Sequence, residues 1–196
     1  RLLESGLDGQ SYVFQGQKIS ISKLGKYQVR NSALAYTVLE QMKTRWPLLT
    51  EDAILKGLEK ATWMGRLELL RKDPPFLIDG AHNTDGVMAL VESLKDLFPG
   101  EKFRFVTGVL KDKDYQAMMS LTEDIAVEYF TVTPDSPRAL PAEDLRDLLE
   151  KDGQKACSFV SLKEAAFEAW RSEDLKTVAF GSLYYIGALR SILVGN

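Results

Sequence analysis

Tyr12-Val13-Phe14 and Ile19-Ser20-Ile21 are short alternating runs on either side of Gln15-Gly16-Gln17, the pattern of a hairpin. From Gln28 to Trp46 the spacing changes. Ala33/Leu34, Thr37/Val38, Leu39, Met42 and Trp46 recur at helical intervals, and Pro47 stops the run. Thr50 then stands as an N-cap ahead of Glu51 and Asp52, with Ile54, Leu58 and Ala61 on one face of a second helix. A hairpin and two helices make a thin core, so this piece reads as the tail of something larger.

From about Trp63 short apolar strands alternate with amphipathic helices. Strands are predicted at Leu67 to Leu70, Phe76 to Asp79, Phe103 to Gly108, Val127 to Val132, Ser158 to Val160 and Thr177 to Phe180. Helices are predicted at 84–97, 114–122, 142–151, 162–171 and 183–193. Ser161-Leu162-Lys163-Glu164 has the form of a capping box, and Pro141 suits a first helical turn. Repeated βα units of this size predict an α/β fold: a Rossmann-like, mostly parallel sheet with helices on both faces. Two units follow, residues 1–62 and 63–196.

Charge sharpens that division. The chain has 196 residues, 25 basic and 28 acidic; residues 1–62 are net +3 and residues 63–196 net −6. The acidic larger unit argues against a nucleic-acid surface. One cysteine, Cys157, and one histidine, His82, allow neither an internal disulfide nor a Cys/His zinc cluster. With no hydrophobic signal core and no long apolar run, the expectation is a cytoplasmic protein without a membrane partner.

In a parallel sheet, ligands bind beyond the carboxyl ends of the strands, so the polar turns there carry the candidate chemistry. Asp79-Gly80-Ala81-His82-Asn83 leaves a strand and opens a helix: the Asp can accept hydroxyls, and the glycine and helix N-terminus admit an anion. Gly108 to Asp114 and Gly181-Ser182-Leu183-Tyr184 lie at two further strand ends. Each also has a purely structural reading. Asp79 can cap its own turn, His82 can be a satisfied polar residue, Lys111 to Asp114 can be a solvated loop, and Ser182 and Tyr184 can cap and pack a helix. Glu123, Asp124 and Glu128 read as surface carboxylates, and Trp46, Trp63 and Trp170 as core or interface aromatics. The chain has no G-x-G-x-x-G, no Walker A loop and no G-x-S-x-G elbow.

Five segments nevertheless occur in a telling order: Leu24-Gly25-Lys26-Tyr27-Gln28-Val29-Arg30-Asn31-Ser32-Ala33, Trp63-Met64-Gly65-Arg66-Leu67-Glu68, Leu77-Ile78-Asp79-Gly80-Ala81-His82-Asn83, Gly108-Val109-Leu110-Lys111-Asp112-Lys113-Asp114 and Phe180-Gly181-Ser182-Leu183-Tyr184. In this the chain resembles folylpolyglutamate synthase/dihydrofolate synthase of the Mur ligase superfamily, with Thr84 where the family usually has proline. The resemblance implies a Mur ligase C-terminal domain preceded by a hairpin-plus-helices remnant of the central ATPase domain. It implies an ATP-dependent ligase that adds L-glutamate to a reduced folate through an acyl phosphate. Its own N-terminal P-loop domain would be the partner, and that domain would hold Mg2+, so this chain alone is expected to be inactive. By the same resemblance Arg66 clamps phosphate oxygens, Asp79 accepts ribose hydroxyls and Asn31 contacts the adenine side. His82, Ser182 and Tyr184 line the incoming glutamate, and Arg66 and His82 form the catalytic pair. No residue of this chain is expected to bind the metal. Another Mur-type amino-acid ligase and a non-catalytic nucleotide-binding module are the alternative readings.

Overall fold

A computed structural model describes residues 1–195. The chain divides into two compact units, Arg1–Trp63 and the remainder from Met64. No helix among the described residues is long and apolar enough to cross a membrane.

The first unit is a three-stranded antiparallel sheet, β1 (Leu2–Gly6), β2 (Gly9–Phe14) and β3 (Gln17–Ile21), followed by α1 (Lys26–Met42) and α2 (Glu51–Lys60). The expected hairpin is β2–β3, closed by Gln15 and Gly16, both with positive φ as a tight hairpin turn requires. Strand β1 adds to the expected elements: its residues are mostly exposed, so no alternating face marks it in the sequence. Thr50 caps α2 by accepting from the Ala53 amide, and Ile54 and Leu58 are buried, whereas Ala61 ends the helix exposed.

Helix α1 corrects the sequence reading on two counts. It stops at Met42, before Trp46, and the side chains it buries are Gln28, Ser32 and Tyr36; of the expected stripe Ala33 and Leu39 pack partly buried beside Tyr36, while Leu34 and Val38 do not. Ser32 sits 2.7 Å from the Tyr12 hydroxyl of β2, so a small polar face lets helix and sheet approach closely. Leu34 and Val38 face outward, and Trp46 and Trp63 are exposed rather than core, Trp63 at 69%.

In the second unit β4 (Glu68–Lys72), β5 (Pro75–Ile78), β6 (Phe103–Thr107), β7 (Ala126–Thr131), β8 (Ala156–Ser158) and β9 (Thr177–Phe180) form one sheet in the order β4-β5-β9-β6-β7-β8. Every pairing is parallel except β4 with β5. The helices are α3 (Thr84–Leu97), α4 (Tyr115–Ser120), α5 (Ala142–Lys151), α6 (Leu162–Arg171) and α7 (Leu183–Val194). Ala165, Ala166 and Ala169 of α6 and Tyr185, Ile186 and Leu189 of α7 pack on one face, against Phe76, Ile78, Val106, Phe130 and Ala179. The opposite face carries an aromatic run in which Phe98, at the end of α3, meets Phe103 at 5.6 Å, and Phe105 meets Tyr129 and Phe180. Alternate strand residues thus serve different faces, and both are covered. Fully burying one such large side chain contributes about 1.5–3 kcal/mol.

Three local expectations change here. β8 lies at 156–158 rather than 158–160: Ala156, Cys157 and Ser158 pair with Tyr129, Phe130 and Thr131, while Val160 is 95% exposed. Pro141 is the N-cap of α5, one position before the first turn. Glu128 is not a surface carboxylate. It is buried on β7 beside its register partner Arg104 on β6, whose Nε lies 2.7 Å from Oε1, and Lys155 lies 2.5 Å from Oε2. The guanidinium also stacks on Phe130.

Candidate functional site

The loop Gly65-Arg66-Leu67 enters β4 under unusual backbone constraint. Gly65 and Leu67 both have positive φ, 67° and 46°, and Leu67 does so with its side chain buried. Such a conformation persists only where surroundings hold it. Three hydrogen bonds do so: Gly80 N–H to Gly65 O at 2.7 Å, Leu67 N–H to Asp79 Oδ2 at 2.7 Å, and Gly65 N–H to Glu68 Oε2 at 2.8 Å. Arg66, between them, is half-buried, and among the described residues its guanidinium has no ion-pair or hydrogen-bond partner. The loop backbone is therefore held, and the guanidinium it carries is an unspent fork of donors.

Asp79 is 5% exposed and ties two motifs together, since its other oxygen, Oδ1, accepts from the Ala81 amide at 2.7 Å. The turn-capping role read from the sequence is thus present. His82 follows with Nδ1 2.8 Å from the Gly80 carbonyl. A carbonyl only accepts, so Nδ1 carries a proton and donates, which leaves Nε2 outside this contact. Asn83 then caps α3, accepting from the Gly86 amide.

The turns after β6 and β9 interlock with this one. Gly181 N–H donates to Ala81 O at 2.8 Å. Gly181 has φ 119°, and a Cβ there would stand 2.7 Å from Gly108 O and 2.8 Å from Thr107 Oγ1, so glycine is required for the strand ends to meet. Ser182 is buried and caps α7 by accepting from the Tyr184 amide at 3.2 Å. Tyr184 is exposed, and its hydroxyl accepts from Arg138 at 3.3 Å, while the other arm of that guanidinium reaches Asp112 at 2.8 Å. The Tyr184 contact, followed by the charge of Asp112, holds Arg138 still more firmly protonated. Lys111 to Asp114 is therefore tied to the rim through Asp112, and Asp114 caps α4.

Two kinds of residue escape the sequence pattern. Arg138 follows β7 in Pro-Asp-Ser-Pro-Arg, a strand-end turn of the same kind as the three that carry the candidates, so the same rule finds it. Glu68 and Arg190 hold the loop from behind across 122 residues, a distance that local pattern does not reveal.

Asn31 belongs to the first unit. It is exposed on α1 with its amide 3.4 Å from Gln28 Oε1, and it lines a pocket of about 460 Å³ with Ile21, Leu34, Leu58 and Trp63. The other five candidates, Arg66, Asp79, His82, Ser182 and Tyr184, all lie in the second unit. Among the described residues no group of three His, Cys, Asp or Glu side chains could hold a metal ion.

Parallel strands whose ends gather a guanidinium without a partner among the described residues, an oriented imidazole and hydroxyls, beside helix N-termini, make an α/β domain with its candidate chemistry at the carboxyl ends of the strands. The chain belongs to the Mur ligase, glutamate ligase domain family, which matches residues 65–178. It is similar to folylpolyglutamate synthase of Lacticaseibacillus casei, 36% identical over 96% of this chain and 44% of that protein. The crystal structure of folylpolyglutamate synthase from Thermotoga maritima matches with TM-score 0.83 and 30% identity, over 100% of this chain and 46% of that one. Structures of the Mycobacterium tuberculosis enzyme complexed with ADP and AMPPCP match with TM-score 0.81 and 28% identity, over 100% and 48%. The chain thus spans less than half the length of these relatives.

Proposed function

We propose that this chain supplies the glutamate side and part of the nucleotide side of an ATP-dependent folylpolyglutamate synthase. The observation that carries the reading is Arg66: a guanidinium without a partner among the described residues, held on a rigid loop, inside the segment that matches the glutamate ligase domain family. In the reaction proposed, the folate γ-carboxylate attacks the terminal phosphorus of ATP and ADP leaves, giving an acyl phosphate. The amine of L-glutamate then attacks the acyl carbon, loses a proton, and phosphate departs as the amide forms.

Phosphoryl transfer spreads negative charge over oxygens, and a planar fork of donors stabilises it better than a mobile ammonium. Arg66 takes that role. Asp79 accepts the ribose hydroxyls. Asn31 offers the adenine a donor and an acceptor from its partly apolar pocket. On the amino-acid side, Ser182 and Tyr184 present hydroxyls at the start of α7, where a carboxylate is favoured by the helix N-terminus. His82 Nε2 takes the role of accepting the proton of the attacking amine. Residues 1–62 are read as the end of the ATPase domain and residues 63–196 as the ligase domain. By resemblance to the family, the magnesium that accompanies ATP is assigned to the P-loop domain of the complete protein.

Radiolabelled glutamate, Mg-ATP and a reduced folate, given to the complete gene product and to this chain in parallel, test the reading. Labelled folate is expected from the complete product alone. Absence of product with both tetrahydrofolate and dihydropteroate would overturn it in favour of a muramoyl-type ligase or a binding module.

A further inference from the structure

Two of the three hydrogen bonds that hold the Arg66 loop come from the end of β5: the Gly80 amide and the Asp79 carboxylate. The third does not. Glu68, on β4, takes the Gly65 amide on Oε2 at 2.8 Å and offers Oε1 to Arg190 Nε, also at 2.8 Å. Arg190 is on α7, seven residues after Leu183 and so about 10 Å along the helix axis. The start of α7 therefore carries Ser182 and Tyr184, and a position about two turns further on holds the carboxylate that takes the Gly65 amide of the Arg66 loop.

Packing does part of the holding: Leu67 is buried, and a Cβ on Gly65 would come within 3.0 Å of Ile186. Beside that contact, Met64, Gly65, Ile186, Gly187 and Arg190 border a pocket of about 570 Å³, so the Gly65 end of the loop is not packed on every side. Gly187, in the middle of α7, has nothing within 4 Å of where a Cβ would stand. At the Gly65 end directed hydrogen bonds add what packing leaves, and a carboxylate bridging an amide and a guanidinium is among the strong ones.

We propose that Arg190, acting through Glu68, is a positioning residue that fixes Arg66 and ties the amino-acid turn of α7 to the phosphate-side loop. The proposal rests on Arg66 acting as the phosphate clamp. Glu68 shapes the Gly65 end of the loop, and Arg190 keeps the Glu68 carboxylate from rotating away. Neither side chain touches substrate. Lysine at 190 preserves the charge but not the planar Nε–H that meets Oε1, so it restores only part of the effect.

The test is hydrogen exchange and steady-state kinetics on the complete ligase, wild type and Arg190→Met. Amides of Gly65 to Leu67 should exchange at least several-fold faster in the variant while those of β5 and β9 are unchanged. Unchanged exchange at 65–67, or equal acceleration in β5 and β9, overturns the proposal whatever the enzyme's substrate proves to be. In the kinetic arm, kcat/KM for ATP should fall about 10- to 100-fold, as expected when a reacting group is displaced by an ångström or less. Arg190→Lys should recover part of the loss. Combined with Arg66→Lys, Arg190→Met should cost less than the product of the two single losses. Full multiplication of the two losses, or wild-type kinetics in Arg190→Met, would sink the positioning role. A wild-type enzyme that ligates no glutamate to folate fails the functional reading alone and leaves the exchange result to decide the tether.

Discussion

The carboxylate of Asp79 holds the amide of Leu67, twelve residues earlier in the chain, at 2.7 Å, and Leu67 meets it with a φ of 46°. One carboxylate thus fixes a left-handed backbone position and, through its second oxygen, the turn at Ala81. Asp79→Asn replaces one acceptor with a donor, so one buried amide must lose its partner. The variant should be destabilised by about 1–3 kcal/mol, measured as a lower urea midpoint with unchanged slope.

Arg66→Ala should separate function from fold. Its side chain makes no hydrogen bond or ion pair among the described residues, so unfolding should shift by no more than about 0.5 kcal/mol. Ligation by the complete enzyme should fall about 10²- to 10³-fold, the scale of losing one preorganised donor at a developing charge. Normal turnover would remove Arg66 from the site.

Two glycines in the second unit should respond with opposite sign. Gly181→Ala forces a Cβ to within 2.7 Å of a backbone oxygen at φ 119°, so a loss of about 2–4 kcal/mol is expected. Gly187→Ala meets open space inside a helix, and a gain of about 0.5–1 kcal/mol should appear. Thermal or urea unfolding of the two variants side by side checks both.

Stability should also track the charge of Glu128. Burial opposes its ionisation, but hydrogen bonds from Lys155 and Arg104, together with their charges, outweigh it and hold the carboxyl below its ordinary value. A group with a depressed folded value stabilises the fold above its unfolded pKa, about 4.3. That contribution is lost as pH falls through the folded value. Wild type should exceed Glu128→Gln in stability at neutral pH, and the gap should close in acid below about pH 4. A gap that stays constant across that range would show that the carboxylate is not held charged by its partners.

Most of the sheet is legible in the sequence because parallel strands are buried on both sides and read as dense apolar runs: Phe76 to Ile78, Phe103 to Val106 and Thr177 to Phe180 lie where the sequence places them. Helix starts at Thr50, Asn83 and Ser161 follow from side-chain caps. What escapes is decided by tertiary partners. β8 is three small residues that become a strand only because β7 has a free edge. The buried face of α1 is made of Gln28, Ser32 and Tyr36, which no apolar stripe reveals. Glu128 is buried because Arg104 stands in register beside it. The strand-end rule finds the turns of the candidate site, and the shared motifs select Arg66. The grip of Arg190 on Glu68 depends on a helix more than a hundred residues away.

Strand β9 pairs with β5 on one side and β6 on the other, yet it is made after every strand it joins. During synthesis the β4–β5 ribbon and the β6–β7–β8 trio stay separate pieces with exposed apolar edges until residues 177–180 emerge and slot between them. Closure is a late, long-range event, the kind that slows folding.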